Sequence, residues 1–398
     1  MITELAKDLY WVGVVDWGLR HFHGHELSTP RGSSYNSYLI LDEKKVLVDT
    51  VWDPFSEDFV EKLAQIIDPA KLDYIICNHM ETDHSGALPT LMRLCPNATI
   101  IVSKRGLSSL KGHYHANCAN WKVQAVGTGD TLKIGKRELL FFEAPMCHWP
   151  DTMFTYIMGE GVLMPNDAFG QHYATGYRWN DQVDQEELFA EALKYYANIL
   201  APFSKQVLTK IDELLALKLP VNMILPSHGV LWRKDPLQIV TKYQQWARQE
   251  PEKSAVILYD TMWNATRQMA EAIGDGLAEA GVPYKLLHMA VTDRNEAIVE
   301  VFKAKAILIG SSTHNNGLLP SIMPILEDLK GLKLINKIGG AFGSYGWSGE
   351  SNKQIEEHLA KCKIPLAAPS VKALWQPTPD DLEKCREMGR QVAKAINA

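Results

Sequence analysis

Between residues 255 and 398 the chain alternates regularly between short apolar runs and amphipathic segments. The apolar runs predict five strands, at AVILYD, YKLLHMA, AILIGSST, KIGGAFGSY and PLAAPSVKAL. The segments that follow them predict helices over residues 265–281, 293–303, 320–330 and 351–362, and from 381 onward. Five consecutive strand–helix units predict a parallel, doubly wound α/β sheet with helices on both faces.

The first 250 residues follow a different pattern, in which short strands are separated by helices of uneven spacing. These strands are predicted at VLVDT, YIICN, TIIVS, ELLFFEAP, FTYIMGEGVLMPND and VNMILPS. Two sheets with helices outside them suit this order. A polar helix over residues 233–249 runs into the linker QEPEKS, so we predict two domains, 1–250 and 251–398. A chain of 398 residues is long enough for two independent cores.

Composition argues against several classes of partner. Lys and Arg total 41 against 47 Asp and Glu, and no basic run is interleaved with aromatic residues, so nucleic acid is not an expected partner. No apolar stretch is long enough to cross a bilayer, and the first residues lack the apolar core of a signal peptide, so no membrane and a cytoplasmic location are expected. The six cysteines never form CxxC, which predicts reduced, mostly buried thiols.

The segment YIICNHMETDHSGALP places four potential metal ligands in the loop after a strand: His79, Glu81, Asp83 and His84. A strand that ends in a tight loop can aim alternate side chains at one point, and imidazole with carboxylate suits iron, manganese or zinc. Three later predicted strands also end in a His or Asp before a turn, namely His148, Asp167 and His228. Each alone is more often a helix cap, a turn residue or a structural histidine. Four such strand ends in one domain predict a metal site.

This order of ligands resembles the metallo-β-lactamase fold, an αββα sandwich whose hydrolases usually carry HxHxDH and bind zinc. The loop here reads HxExDH, the form that flavodiiron proteins carry, and the likeness extends over essentially the whole chain. An anionic oxygen donor at Glu81 favours iron and stabilises its oxidised state. Three neutral histidines and three carboxylates around two ferrous ions, with one bridging hydroxide, bring the site near neutrality.

The resemblance implies a hydroxo- or oxo-bridged, non-haem diiron site with six protein ligands. His79, Glu81 and His148 would hold one iron, and Asp83 and His228 would hold the other. Asp167 would bridge the two irons. His84 would lie behind the ligands, because flavodiiron proteins often turn the matching histidine away. His25 and Tyr195 resemble groups that line the gas pocket, although a surface histidine and an ordinary amphipathic tyrosine explain them equally well.

A flavin site is predicted beyond the strands of the second domain. The first strand is followed, at a helix start, by Thr261, Met262, Trp263, Asn264, Ala265 and Thr266. Hydroxyl and amide groups beside the free N–H groups of a helix start suit a flavin phosphate, whereas a simple N-cap needs only one such residue. The loops after the third and fourth strands meet at the switch point and resemble the flavodoxin loops that wrap the isoalloxazine ring of FMN. They comprise Ser312, Thr313, His314, Asn315, Asn316 and Gly317, and Ser344, Tyr345, Gly346, Trp347, Ser348 and Gly349.

The resemblance implies an oxidoreductase that reduces nitric oxide to nitrous oxide, dioxygen to water, or both. Electrons would pass from a separate rubredoxin-type protein through FMN to the irons, within a head-to-tail homodimer or a pair of such dimers. The alternative is a binuclear zinc hydrolase fused to a flavodoxin-like module, which bound zinc would favour over iron. A flavin or electron carrier with a degenerate metal domain is a third interpretation, against which all six expected ligands are present.

Overall fold

The computed structural model describes residues 2–398. The chain divides into two compact units, the first comprising residues up to Tyr195 with Phe203–Ala247, and the second comprising Tyr196–Pro202 with Arg248–Ala398. The second unit resumes at Arg248, and the domain boundary at residue 250 stays a prediction. The sequence did not indicate that the short segment Tyr196–Pro202 joins the second unit. A π-helical turn there, Tyr196–Leu200, brings the Tyr196 ring within 5.8 Å of the Phe302 ring.

The first unit contains two principal sheets and two small two-stranded sheets. Its strands are β1 Thr3–Ala6, β2 Leu9–Trp11, β3 Val14–Asp16, β4 His21–Phe22, β5 Leu27–Ser28, β6 Ser33–Tyr35, β7 Tyr38–Leu41, β8 Lys45–Val48, β9 Tyr74–Cys77, β10 Thr99–Ser103, β11 Lys122–Val126, β12 Thr131–Lys133, β13 Glu138–Glu143, β14 Met153–Ile157, β15 Val162–Met164 and β16 Met223–Ile224. One principal sheet has the order β1-β2-β7-β8-β9-β10-β11 and the other β12-β13-β14-β15-β16. The small sheets pair β3 with β6 and β4 with β5.

Apolar residues of the two principal sheets form one core. Ile76 and Ile101 of the first sheet belong to the same buried cluster as Phe141 and Val162 of the second. The alternate residues of the first sheet are also buried, as Ile75 is, because helices cover its other face. The helices of this unit are α1 Ser56–Ala64, α2 Thr82–Ser85, α3 Leu88–Leu94, α4 Gly106–Tyr114, α5 Gln185–Tyr195, α6 Ser204–Ala216 and α7 Leu237–Ala247. The predicted pair of sheets with helices outside is confirmed.

Some predicted elements of this unit differ from the observed ones. The run 154–167 predicted one strand, but it forms β14 and β15, joined by a turn at Gly159 and Gly161, both of which have positive φ. The predicted strand VNMILPS retains only β16, and the polar helix predicted over 233–249 is the shorter α7. Glycine adopts the left-handed region without a Cβ penalty, which explains why the turn between β14 and β15 forms at Gly159 and Gly161.

The second unit is a five-stranded parallel sheet with the order β18-β17-β19-β20-β21. Its strands are β17 Glu252–Asp260, β18 Tyr284–His288, β19 Ala304–Ser311, β20 Ile338–Tyr345 and β21 Val371–Leu374. Its helices are α8 Ala265–Glu279, α9 Arg294–Lys303, α10 Met323–Leu332, α11 Ser351–Lys361 and α12 Pro379–Asn397. The strand order reverses direction at β17, which confirms the predicted doubly wound sheet and leaves a crevice beyond the carboxyl ends of β17 and β19.

The length and composition of a helix decide whether it could cross a membrane. Over residues 2–398, no helix combines the length and the apolar character needed to cross a bilayer.

Candidate metal centre and flavin site

Seven ionisable side chains of the first unit converge on two adjoining groups of potential metal ligands. The first group consists of His79, Glu81, His148 and Asp167, and the second of Asp83, His84 and His228. Within each group the donor atoms all lie within 4.8 Å of one another. The residues follow the carboxyl ends of β9, β13, β15 and β16, so the four predicted strand ends meet at one place. All six predicted ligands are in these groups.

Asp167 contacts both groups. Its Oδ2 lies 3.2 Å from His148 Nε2 and 3.7 Å from His79 Nε2. Its Oδ1 lies 2.8 Å from His84 Nε2 and 3.5 Å from His228 Nε2. One carboxylate that directs a different oxygen to each group has the geometry of a bridging ligand between two metal ions.

Neighbouring histidines keep the carboxylates of this cluster ionised. Burial alone would raise the pKa of Glu81, but hydrogen bonds with His23 and His79 lower it to about 2. Burial likewise opposes ionisation of Asp167, yet the charge of His84 and contacts with His148 hold the pKa of Asp167 well below its usual value. The anionic cluster therefore requires positive charge, which protonated imidazoles supply in the protein alone and metal cations would supply instead.

Several buried atoms of the cluster lack a hydrogen-bond partner among residues 2–398: both carboxylate oxygens of Asp83, both ring nitrogens of His84, and Oδ2 of Asp167. Histidine nitrogens lie near the carboxylates, as His228 Nε2 does at 3.1 Å from Asp83 Oδ2, but without hydrogen-bond alignment. Buried polar groups are normally hydrogen-bonded, so converging donor atoms without such bonds fit metal ligation. Imidazoles with three carboxylates are a donor set that suits a pair of irons.

Two ligand histidines are oriented by contacts behind them. His79 Nδ1 lies 3.1 Å from Asp151 Oδ1, and Asp151 Oδ2 accepts a hydrogen bond of 3.0 Å from the Met80 backbone N–H. His228 Nδ1 donates to the Ser34 carbonyl oxygen at 2.6 Å. Each contact fixes the ring so that Nε2 faces the cluster, as metal ligation by histidine requires. Neither partner was predicted from the sequence, although Asp151 shares a short loop with the predicted ligand His148.

The structure places His84 differently from the prediction. Its Nε2 lies 2.8 Å from Asp167 Oδ1 and 3.0 Å from Asp83 Oδ2, which puts the ring inside the second group and not behind it. Burial disfavours the imidazolium, but Asp167 and Asp83 raise the pKa of His84 well above its usual value. His84 is therefore a further candidate ligand beside the six that were predicted.

The two residues predicted to line the gas pocket have different surroundings. His25 is exposed, its ring lies 5.0 Å from the His21 ring, and no hydrogen bond or ion pair joins it to the cluster within residues 2–398. The histidine of this segment that does reach the cluster is His23, whose Nε2 is 2.7 Å from Glu81 Oε1. A role for His25 stays a prediction, and His23 was missed. Tyr195 is buried, with its ring 6.2 Å from the His228 ring.

A cavity of about 240 Å³ lies at the carboxyl ends of the second unit's strands. The predicted residues that line it are Met262, Trp263, Ala265, Ser312, Thr313, Ser344, Tyr345, Gly346 and Trp347. Beneath it, Thr266 Oγ1 lies 2.9 Å from Ser312 Oγ and 3.0 Å from Ser344 Oγ, and the two serine hydroxyls are 3.0 Å apart. The three predicted loops therefore meet at one hydroxyl triangle. The other predicted loop residues do not line this cavity: Thr261, Asn264, Thr266, His314, Asn315, Asn316, Gly317, Ser348 and Gly349.

Two lining residues, Trp375 and Gln376, come from the loop after β21 and were not predicted. The rule that ligands lie beyond the carboxyl ends of parallel strands could have found them, because β21 is the strand next to β20. Three tryptophans at the cavity are strongly exposed, Trp263 by 86%, Trp347 by 74% and Trp375 by 61%. Aromatic surfaces this exposed are available to a planar ligand or to a protein partner.

Comparisons with known proteins agree with this division of the chain. Residues 34–229 match the model of the ODP family beta lactamase, and residues 257–389 match flavodoxin. The chain is 50% identical to a nitric oxide reductase from Moorella thermoacetica, covering 99% of this chain and 98% of that protein. It is 48% identical to an anaerobic nitric oxide reductase flavorubredoxin from Escherichia coli O1:K1, covering 99% of this chain and 82% of that protein.

Solved structures give the same result. Rubredoxin oxygen:oxidoreductase from Desulfovibrio gigas superimposes with a TM-score of 0.97 at 38% identity, covering 100% of this chain and 99% of that one. The flavodiiron protein of Giardia intestinalis superimposes with a TM-score of 0.94 at 34% identity, covering 100% and 97%. A lactamase-like unit with two ligand groups, joined to a flavodoxin unit, defines a two-domain oxidoreductase. The chain belongs to the flavodiiron proteins, which confirms the predicted family, fold class and enzyme class.

Proposed function

We propose that this chain is a diiron flavoenzyme that reduces nitric oxide to nitrous oxide, dioxygen to water, or both. Electrons pass from a rubredoxin-type donor through FMN to the iron pair. The observation that carries the proposal is Asp167, whose two carboxylate oxygens reach separate ligand groups, with Glu81 supplying a further carboxylate to the first. The nitric oxide reductase and the rubredoxin oxygen:oxidoreductase among the relatives support both gases as substrates.

The two ligand groups support a place for each ion. His79, Glu81 and His148 would hold one iron, Asp83 and His228 the other, and Asp167 both. When bound, the irons supply the sites that bind and polarise the gas and the electrons that reduce it, while FMN restores those electrons. Asp151 and the Ser34 carbonyl keep His79 and His228 in the tautomers that this assignment requires.

Three aromatic side chains, Phe22, His172 and Tyr195, which we call the aromatic wall, enclose the His228 side of the cluster. The Phe22 ring lies 5.6 Å and the His172 ring 5.0 Å from the His228 ring. Burial, together with the charge of Asp167, raises the pKa of Tyr195 well above its usual value, so its hydroxyl stays protonated. We assign the aromatic wall, Tyr195 included, the task of limiting water access to the gas.

The flavin is proposed to occupy the cavity of the second unit. Ser312 Oγ accepts a hydrogen bond of 3.1 Å from the Met262 backbone N–H, which ties the loop after β17 to the loop after β19. The N–H groups at the start of α8 would receive the phosphate, and Trp347 would stack on the ring. Trp347 and Trp375 are 6.3 Å apart, centroid to centroid, so both are within reach of one planar ligand.

A head-to-tail homodimer and a cytoplasmic location complete the proposal. Each unit carries one redox site, and in a head-to-tail pair the flavin of one subunit would face the metals of the other. The exposed tryptophans of the flavin cavity support a protein partner at that surface. The six cysteines are all free, and Cys362 alone among them is not fully buried, which is in keeping with a reducing compartment.

The test is metal and flavin analysis of purified protein, followed by anaerobic turnover with each gas and reduced rubredoxin. We expect two irons and one FMN per chain, with consumption of nitric oxide, dioxygen or both that stops when rubredoxin is withheld. Bound zinc together with ester or thioester cleavage would favour the hydrolase. Iron and flavin without gas consumption would contradict the proposed reaction.

A further inference from the structure

His172 is a buried imidazole beside the metal ligands that the assignment of ligands does not use. It follows β15 in the chain, five positions after Asp167, and only 7% of it is exposed. Its ring lies 5.0 Å from the His228 ring and 5.1 Å from the Tyr195 ring. A histidine in this position has two nitrogens to satisfy without access to bulk water.

One nitrogen of His172 has a hydroxyl group as its partner. His172 Nδ1 lies 2.8 Å from Ser33 Oγ. The other acceptor within reach of the Ser33 hydroxyl is the Ser34 carbonyl oxygen, at a long 3.4 Å, and that oxygen already accepts a 2.6 Å hydrogen bond from His228 Nδ1. Because the contact to His172 Nδ1 is the shorter of the two, Ser33 is assigned as the donor to that nitrogen. The ring proton of His172 then resides on Nε2.

The second nitrogen has no partner within the protein. Among residues 2–398, His172 Nε2 is buried without a hydrogen bond, and no carboxylate forms an ion pair with the ring. Leaving a buried N–H donor unsatisfied is unfavourable, because the group has given up its hydrogen bonds to water without a replacement. Such a donor beside a ligand-binding site is normally retained because a ligand satisfies it, and the substrate that the proposed function brings to this wall is a gas with an acceptor oxygen.

Adjacent residues of β6 therefore give two neighbouring histidines opposite tautomers. The Ser34 carbonyl holds the proton of His228 on Nδ1, which leaves its Nε2 lone pair facing the cluster. The Ser33 hydroxyl holds the proton of His172 on Nε2, which leaves an N–H donor. Strand β6 thus orients His228 as a metal ligand and, next to it, His172 as a hydrogen-bond donor.

We propose that His172, held by Ser33 as the Nε2–H tautomer, donates a hydrogen bond to the oxygen atom of the diatomic gas bound beside His228. This inference rests on the proposed function. The hydrogen bond withdraws electron density from the gas and favours its reduction, because the donor stabilises negative charge as it develops on oxygen.

The test measures the N–O stretching frequency of nitric oxide bound to the reduced, iron-loaded holoenzyme, in H2O and in D2O. Two matched variants separate the ring nitrogens. The amide nitrogen of His172→Gln reaches the Nε2 position, whereas that of His172→Asn reaches only the Nδ1 position near Ser33. Tyr195→Phe removes the competing hydroxyl donor of the aromatic wall.

We expect the native frequency to shift in D2O, and this shift to persist in H172Q and Y195F but to be lost in H172N. H172N should also show a higher N–O frequency and a kcat/KM lower by roughly threefold to tenfold, the effect of one hydrogen bond. A D2O shift that persists in iron-loaded H172N, or that is lost in Y195F, would overturn the proposal. Should H172N fail to retain iron, Y195F and H172Q decide: persistence in both supports His172, and loss in either overturns it.

The outcomes also separate this inference from the function on which it rests. A native holoenzyme that binds no nitric oxide and consumes neither gas contradicts the proposed function, and the role of His172 falls with it. A native holoenzyme that turns over but shows no D2O shift contradicts only the hydrogen bond from His172.

Discussion

In the first unit, seven ionisable side chains are packed together, and each of them touches others through contacts of about hydrogen-bond length. In the second unit, the cavity is lined by uncharged hydroxyl groups and by tryptophans that are mostly exposed. Buried charges depend on one another, because removal of one partner leaves the next uncompensated. Exposed aromatic side chains each contribute a small, independent amount to the free energy of ligand binding. Single substitutions should therefore be severe at the metal centre and mild at the flavin cavity.

The largest effect is expected at Asp167, the carboxylate that both ligand groups share. Asp167→Ala should lower iron affinity by more than about a hundredfold, because even the residues that merely orient metal ligands contribute tenfold to a hundredfold. FMN content should be unchanged. Iron and flavin analysis checks this, with the exposed Asp58→Ala as control. If D167A kept both irons, the contrast between the two regions would be wrong.

Asp151 tests whether the contacts behind the ligands matter as much as the ligands. Asp151→Ala leaves His79 Nδ1 and the Met80 backbone N–H without their partner. We expect iron affinity to fall by about tenfold to a hundredfold, measured by competition with a chelator. Ser227→Ala is the matched control, because its hydroxyl donates to Asp167 at 2.6 Å but orients no histidine, and its effect should be smaller.

Lys337 is a buried amine of the flavin unit that belongs to neither site, and its titration should affect stability alone. Its Nζ donates to the Phe302 and Ala304 carbonyl oxygens, both at 2.6 Å, and burial lowers the pKa of Lys337 to about 7. The unfolded chain then binds more protons than the folded one between pH 7 and the ordinary lysine pKa, so stability should rise with pH across that window.

From pH 7 to pH 9 the gain attributable to Lys337 should be about 2 kcal/mol. Urea unfolding at both pH values measures it, with Lys337→Met as the reference that removes the titrating group. An equal pH dependence in K337M would show that the amine titrates normally. A loss of stability on going to pH 9 that K337M abolished would reverse the sign and contradict the lowered pKa.

The smallest effect is expected at the flavin cavity. Trp347→Ala should weaken FMN binding by about fivefold, corresponding to about 1 kcal/mol for one stacking aromatic, since Trp375 still lines the cavity. Flavin fluorescence titration of the apoprotein measures this change, and iron content should not move. A loss of FMN binding of several hundredfold would mean that one tryptophan dominates the site, against the distributed contacts that the cavity indicates.

The two regions also differ in how much of their structure could be predicted from the sequence. The strands and helices of the flavin unit and the meeting of its loops follow from a repeated local pattern, so elements such as β19 and α11 were predicted within a few residues. The loop after β21 was missed because VKALWQ carries no hydroxyl or glycine signal, although its position in the sheet brings Trp375 to the cavity.

At the metal centre, the ligands were predictable because His and Asp stand out at strand ends, but their partners were not. Ser34 acts through a backbone carbonyl, which any residue type would provide, so no sequence pattern marks it. His23 and His25 are alternatives that only the path of the chain between β4 and β5 can separate. The place of His84 likewise depends on the direction of α2, a helix too short to be read from periodicity.

Two irons are proposed to bind on either side of the Asp167 carboxylate. Anomalous diffraction from crystals of the purified protein, recorded on both sides of the iron absorption edge, would locate them. We expect two iron peaks per chain, one beside His79 and His148 and the other beside Asp83 and His228. A single peak, or anomalous signal at the zinc edge in place of iron, would contradict this proposal.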